Sequence, residues 1–86
     1  MRKVAISNRI RELRLGAEEM TQQELADSVG ITRQTVIALE QGKYSPSLEL
    51  AFLIANTFDV GVEDVFQHEE AVRAQARRRL RKSRGA

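Results

Sequence analysis

Residues 21–43 constrain this chain more than any other stretch. Thr21 followed three residues later by Glu24 is a capping box. The threonine hydroxyl can accept from the Glu24 amide while the glutamate reaches back to the Thr21 amide, and a helix starts there. Leu25, Ala26 and Val29 then fall on one apolar stripe about two turns long. Gly30 follows directly, where a helix stop needs a residue that tolerates positive φ. Ile31 can fill the space beneath that turn, and Thr32 is a good N-cap for a second helix. In that second helix Val36 and Leu39 share a face, and Gly42 supplies another stop. The slim side chain of Ala26 suits a steep crossing between the two helices.

Caps and glycines alone would suit any pair of helices in a small bundle. The outer face of the second helix goes further. Arg33, Gln34 and Thr35 occupy its first turn, and Ile37 and Ala38 follow. The whole of residues 21–40 therefore matches a helix-turn-helix motif, whose second helix enters the major groove of DNA and turns its N-terminal side chains to the base edges. Arginine pairs with guanine through two bonds, glutamine does the same with adenine, and a threonine methyl can meet a thymine methyl. Arg33 and Gln34 are the main base-reading candidates, with Thr35 at a base or a phosphate. Ile37 either meets a thymine methyl or packs against the next helix. Ala38 can offer only a shape contact.

The resemblance carried by these residues is to the Cro and phage-repressor type of helix-turn-helix proteins, also called the xenobiotic-response-element family. Ile10-Arg11-Glu12-Leu13-Arg14, Thr21-Gln22-Gln23-Glu24-Leu25-Ala26, Val29-Gly30-Ile31-Thr32-Arg33-Gln34-Thr35-Val36 and Leu39-Glu40-Gln41-Gly42-Lys43 all match its pattern. Tyr44-Ser45-Pro46-Ser47-Leu48-Glu49-Leu50-Ala51-Phe52 is similar to a subgroup of very small bacterial regulators. The match covers roughly residues 7–66. It implies an all-α, five-helix, lambda-repressor-like domain that binds double-stranded DNA, usually as a homodimer, with an arm at 1–6 and a tail at 67–86 outside it.

The same resemblance assigns roles. Gln22 matches a position that anchors to phosphate; Thr32, Lys43 and Tyr44 are the other expected phosphate contacts, fixing register without reading sequence. Glu40 is expected to pair with an arginine of the first helix, and Arg14 fits. The dimer contact is expected from Val62, Val65 and Phe66, with Phe58 beside them, although Val62, Val65 and Phe66 would also serve to close the core; Leu53, where relatives commonly have a charged residue, is either a tolerated surface leucine or a further protein contact at that interface. Some relatives carry a base-reading glutamine where this chain has Ala38. The family usually has glycine where this chain has Asp59, which tolerates left-handed φ better than most residues. The connection Gly16-Ala17-Glu18-Glu19 is one residue longer than the family norm, an insertion a loop absorbs cheaply.

Around this motif the spacing predicts a first helix capped by Ser7 or Asn8 and running to about Leu15, a fourth from near Ser45-Pro46-Ser47 to about Phe58, and a short fifth over 62–66. The fourth is apolar nearly all round, so one flank would stay wet in an isolated small monomer. Met1 to Ile6 is either a frayed arm or a short strand pairing with its symmetry mate.

Composition excludes several alternatives. Eighty-six residues make one domain, near the size where a single core is marginal. With no cysteine, disulfide frameworks and thiolate metal sites are excluded, which suits a reducing cytoplasm; the resemblance implies a bacterial cytoplasmic protein that is nucleoid-associated when bound to DNA. No apolar run approaches membrane-spanning length, and no secretory leader is expected. His68 lacks the companions a metal ligand needs, no nucleophile stands with a base and an orienting group, and no glycine-rich phosphate loop is present, so neither a cofactor nor an enzymatic activity is expected.

Charge is unevenly placed. Residues 1–66 hold seven Lys/Arg against ten Asp/Glu, a net of −3, and residues 67–86 hold seven against two, a net of +5; together they give the overall +2. A DNA-binding body that is net acidic must gather its positive groups on one face, and the basic tail can supply non-specific attraction. From His68 onward, Ala71, Val72, Ala76 and Leu80 share a helical stripe among the arginines, with Glu69 and Glu70 at the start. The tail is solvated and mobile, a phosphate-binding arm, or an additional dimer helix. The expected function is a transcriptional regulator, most simply a repressor occupying an inverted-repeat operator. The alternative is an antitoxin, whose flexible charged segment wraps a toxin protein by folding on binding while the domain regulates its own operon.

Overall fold

The computed structural model describes the backbone of residues 6–68 and 70–84. Residues 1–5 of the expected arm, and Glu69, lie outside the described residues. The order of elements is β1 (Ile6–Asn8), α1 (Ile10–Gly16), α2 (Gln22–Val29), α3 (Arg33–Glu40), α4 (Leu48–Thr57), α5 (Val62–Val65), β2 (Phe66–His68) and α6 (Glu70–Ser83).

The capping residues start the helices where their side chains can hold the first turn. The Thr21 hydroxyl accepts from the Glu24 amide at 3.0 Å and the Glu24 carboxylate accepts from the Thr21 amide at 2.9 Å. Thr32 accepts from the Thr35 amide at 3.2 Å, and Ser47 from the Leu50 amide at 3.1 Å. Pro46 precedes that cap instead of lying in the first turn of α4.

The stops share one geometry. After α2 the Ile31 amide returns to the Ala26 carbonyl, after α3 Lys43 returns to Ala38, and after α4 Val60 returns to Ala55. The residue before each returning amide is left-handed: Gly30 at φ 76°, Gly42 at 71° and Asp59 at 53°. This closure satisfies carbonyls that a helix end would leave orphaned. The longer connection after α1 places two further non-glycine residues, Glu18 and Glu19, at φ 56° and 57°.

The core lies where the first five helices converge. Ile10, Leu25, Val36, Leu39, Ile54 and Val65 are its largest fully buried side chains, so every one of α1 to α5 contributes. Burying each stabilises by about 1.5–3 kcal/mol. Ala26 of α2 is fully buried in the same core. No helix among the described residues is long and apolar enough to cross a membrane.

Two further boundaries differ from the sequence expectation. Ser7 and Asn8 lie in a strand and the first helix begins at Ile10, because β1 pairs antiparallel with β2 in the register Ile6↔His68, Ser7↔Gln67, Asn8↔Phe66. The short strand at the N-terminal side thus finds its partner within the same chain. Phe66, expected in the fifth helix, is extended at φ −117°, ψ 134°, drawn out by that pairing. The tail forms the helix α6 from Glu70 to Ser83.

Candidate nucleic-acid interface

The surface of interest is built on α3. Its inward stripe is Val36 and Leu39, both fully buried, and this fixes which residues turn outward. Arg33 and Gln34 are exposed on the first turn, while Thr35, Ile37 and Ala38 are half-buried along the same flank. Part of Thr35 is committed to the helix start, its hydroxyl lying 2.9 Å from that of Thr32. Thr32 is therefore occupied as a cap but remains exposed. Lys43 and Tyr44, just past the C-terminal turn of α3, are exposed as well.

The orientation of α3 is set by a buried polar network. Arg14 of α1 donates from Nε to Glu40 Oε2 at 2.7 Å and from Nη2 to Oε1 at 3.1 Å. Its remaining Nη1 donates to the Met20 carbonyl at 2.8 Å, and Gln22 Nε2 donates to Glu40 Oε1 at 3.2 Å. The arginine and glutamate side chains are only 8% and 7% exposed, so one bidentate pair joins α1, the start of α2 and the end of α3 away from water. Among the described residues, no buried side-chain nitrogen or oxygen lacks a partner. A buried charge pair is tolerable only under that condition. The Gln22 amide group belongs to this network, so any contact it makes with a phosphate falls to its backbone N–H, at a helix N-terminus where anions are favoured.

Asn8 is a positioning residue that sequence analysis considered only as a cap. Its Oδ1 accepts from the Ile10 amide at 3.1 Å, and its Nδ2 donates to the Leu39 carbonyl at 2.7 Å, near the end of α3. Nothing local in the sequence signals the second bond, which spans 31 positions.

Electrostatics sort the cations into two groups. Arg9 pairs with Glu12 at 3.1 Å and Arg14 with Glu40. Arg11, Arg33 and Lys43 have no carboxylate partner among the described residues. Arg11 and Arg33 line one open concavity together with Gln22 and Gln23, between α1 and the N-terminal ends of α2 and α3. Sequence analysis gave Arg11 no functional role; its shared hollow with Arg33 is the reason to give it one. The positive end of two helix dipoles adds to this side of the body.

The expected dimer residues separate by depth. Val65 is fully buried and closes the protomer core, so its side chain offers no surface to a partner. Phe58, Val62 and Phe66 are partly buried against the core. Leu53 stays 40% exposed, and on the same helix Leu48 and Phe52 are 72% and 52% exposed. Among the described residues no cluster of three or more His, Cys, Asp or Glu could hold a metal ion.

The helix-turn-helix family model matches residues 10–65. The chain belongs to the Cro and phage-repressor type of helix-turn-helix family. It is 55% identical over 51 residues to an HTH-type transcriptional regulator of Methanocaldococcus jannaschii, a match covering 59% of this chain and 77% of that one. It is 46% identical over 65 residues to the HTH-type transcriptional regulator YgzD of Bacillus subtilis, covering 76% and 97%. The cryptic phage CTXphi transcriptional repressor RstR of Vibrio cholerae is 31% identical over 64 residues, covering 74% of this chain and 57% of the repressor. The fold matches the crystal structure of a candidate DNA-binding protein from Bacteroides fragilis with a TM-score of 0.63 at 24% identity, over 72% of this chain and 98% of that one. The family model ends at Val65, before β2 and α6.

Proposed function

We propose that this chain is a transcriptional regulator that binds double-stranded DNA in a sequence-specific manner, as a homodimer on an inverted repeat, and acts most simply as a repressor. The observation that carries this is the outward first turn of α3: Arg33 and Gln34 exposed, Val36 and Leu39 buried behind them, and the unpaired cations Arg11, Arg33 and Lys43 in the same body. A helix so presented can lie in the major groove and bring two planar hydrogen-bonding side chains to base edges. Thr35, Ile37 and Ala38 complete the readout face. The backbone N–H of Gln22, with Thr32, Lys43 and Tyr44, sets register on the phosphates. Membership of a family whose relatives include transcriptional regulators and a phage repressor supports the regulatory role.

A two-fold dimer would place its two α3 helices on half-sites about 34 Å apart. Leu53, beside the partly buried Phe58, Val62 and Phe66, supplies the contact between protomers in this proposal.

Selection from a random duplex pool, followed by binding to single-base variants, tests the reading. Arg33→Ala should lose about 1–3 kcal/mol of discrimination at one base pair per half-site. Lys43→Ala should weaken every sequence alike and lower the salt slope by about 1. Uniform weakening by Arg33→Ala, with no base position relaxed, would overturn the assignment.

A further inference from the structure

The helix α6 differs from the five before it. Its described side chains from Gln75 to Arg84 are exposed, Leu80 at 54%, and Ala74 alone is half-buried. It is 14 residues long, and among its described side chains, from Arg73 to Ser83, none packs into the core. A helix of that length without a packed face is marginal in water, because helical stability in proteins comes mostly from burial of such a face. A partner surface along the exposed part of the helix would stabilise it further.

Charge identifies that partner. Residues 73–84 hold Arg73, Arg77, Arg78, Arg79, Arg81, Lys82 and Arg84, with no Asp or Glu among them. Gln75, Arg78, Arg79 and Lys82 fall at i, i+3, i+4 and i+7 and line one shallow concavity on the helix. The described apolar residues there are only alanines and Leu80, with no aromatic to anchor in a bilayer and too little area for a protein interface. A polyanion matches the face; an apolar surface does not.

We propose that α6 is a second nucleic-acid contact of this chain, a basic arm that becomes stably helical along the phosphate backbone of duplex DNA through the face of Gln75, Arg78, Arg79 and Lys82. The choice of duplex DNA rests on the DNA-binding reading above. The arm starts from a fixed point, because β2, immediately before it in the chain, is paired to β1. It adds affinity that is indifferent to sequence, while α3 reads the bases.

The test compares the full chain with a triple variant, Arg78→Gln, Arg79→Gln and Lys82→Gln, which retains high helix propensity. The probe is a random-sequence duplex titrated at several salt concentrations. Each phosphate contact contributes about 0.9 to the slope of log K against log salt, so three lost contacts should flatten it by roughly 2.7. Between about 50 and 200 mM salt the wild-type protein should then lose roughly 40-fold more affinity than the variant. Far-ultraviolet helicity should rise on adding the duplex, and rise less in the variant. Arg78→Lys with Arg79→Lys should keep the wild-type slope. An unchanged slope in the triple variant overturns the proposal. So does a shift from dimer to monomer at unchanged slope, which would make α6 a protein interface, or recruitment to phosphatidylserine vesicles at unchanged slope. Failure of the operator reading is distinguishable: Arg33→Ala would then change no base preference, yet the slope difference on random duplex would persist.

Discussion

Replacing Glu40 with alanine should destabilise this domain far more than an ordinary ion pair would suggest. Exposed pairs contribute about 0–1 kcal/mol, because water solvates the partners equally well when they separate. The Arg14–Glu40 pair is different, with side chains 8% and 7% exposed. Glu40 accepts three bonds, two from Arg14 at 2.7 and 3.1 Å and one from Gln22 at 3.2 Å. Its removal leaves the guanidinium in a poorly hydrated site with its bond to the Met20 carbonyl. Breaking a buried pair on one side costs about 3–5 kcal/mol. Domains of this size hold about 5–15 kcal/mol in total and shift in Tm by roughly 4–8 °C per kcal/mol, so a fall of about 12–40 °C is expected. Urea unfolding with an unchanged m value measures the loss directly. The double variant Arg14→Met, Glu40→Leu removes both charges together and should recover most of it. If Glu40→Ala costs less than about 1 kcal/mol, or if the double variant is as unstable as the two single changes combined, then the pair is not buried in the sense claimed.

Three further changes test the helix ends and the exposed face. Gly30→Ala should cost about 1–2 kcal/mol for conformation alone, since an added Cβ would meet no atom within 4 Å and the penalty lies entirely in φ 76°; Gly30→Asn should cost less in the same thermal melt. Asp59→Gly should stabilise by roughly 0.5–1 kcal/mol, because Asp59 occupies at φ 53° the place that glycine fills after α2 and α3. Leu53→Glu should move the sedimentation equilibrium toward monomer while changing protomer stability by no more than about 0.5 kcal/mol; an undisturbed dimer would remove Leu53 from the contact.

The helix-turn-helix was legible because its determinants are local. A capping box spans four residues, a glycine stop sits at one position, and an apolar stripe repeats within two turns. The caps of Thr21 and Thr32 and the stops at Gly30 and Gly42 could be placed from neighbouring residues for that reason, whereas Pro46 pointed to an earlier start of α4 than the Ser47 cap gives. What stayed out of reach depends on distance along the chain. Asn8 was legible as a capping residue, but its second bond goes to Leu39, and β1 acquires its strand character only by pairing with β2 some sixty positions away. That pairing also takes Phe66 out of the fifth helix. The depth of Val65 was illegible on similar grounds: periodicity places it on an apolar edge, and only the assembled core determines that the edge is fully enclosed.

The long-range contacts share a purpose in the placement of α3. Both side chains that reach it from the N-terminal segment grip its C-terminal end: Arg14 through Glu40, and Asn8 through the Leu39 carbonyl. That end carries the negative pole of the helix and the Glu40 carboxylate, so a guanidinium and an amide donor are the groups suited to hold it. The opposite end, with Thr32, Arg33 and Gln34, carries the positive pole and is left exposed. A helix clamped at its negative end keeps its positive end available to an anionic duplex without having to break an internal contact. Weakening the clamp should therefore reduce DNA affinity even though neither Asn8 nor Arg14 touches a base. Asn8→Ser tests this effect, because it keeps a side-chain oxygen for the Ile10 amide, is too short to hold the Leu39 carbonyl, and leaves the Arg14–Glu40 pair intact. It should weaken binding to specific sequence more than binding to random duplex, since only base readout requires α3 to be held at a fixed angle. Equal weakening of both would show that the clamp supports folding alone.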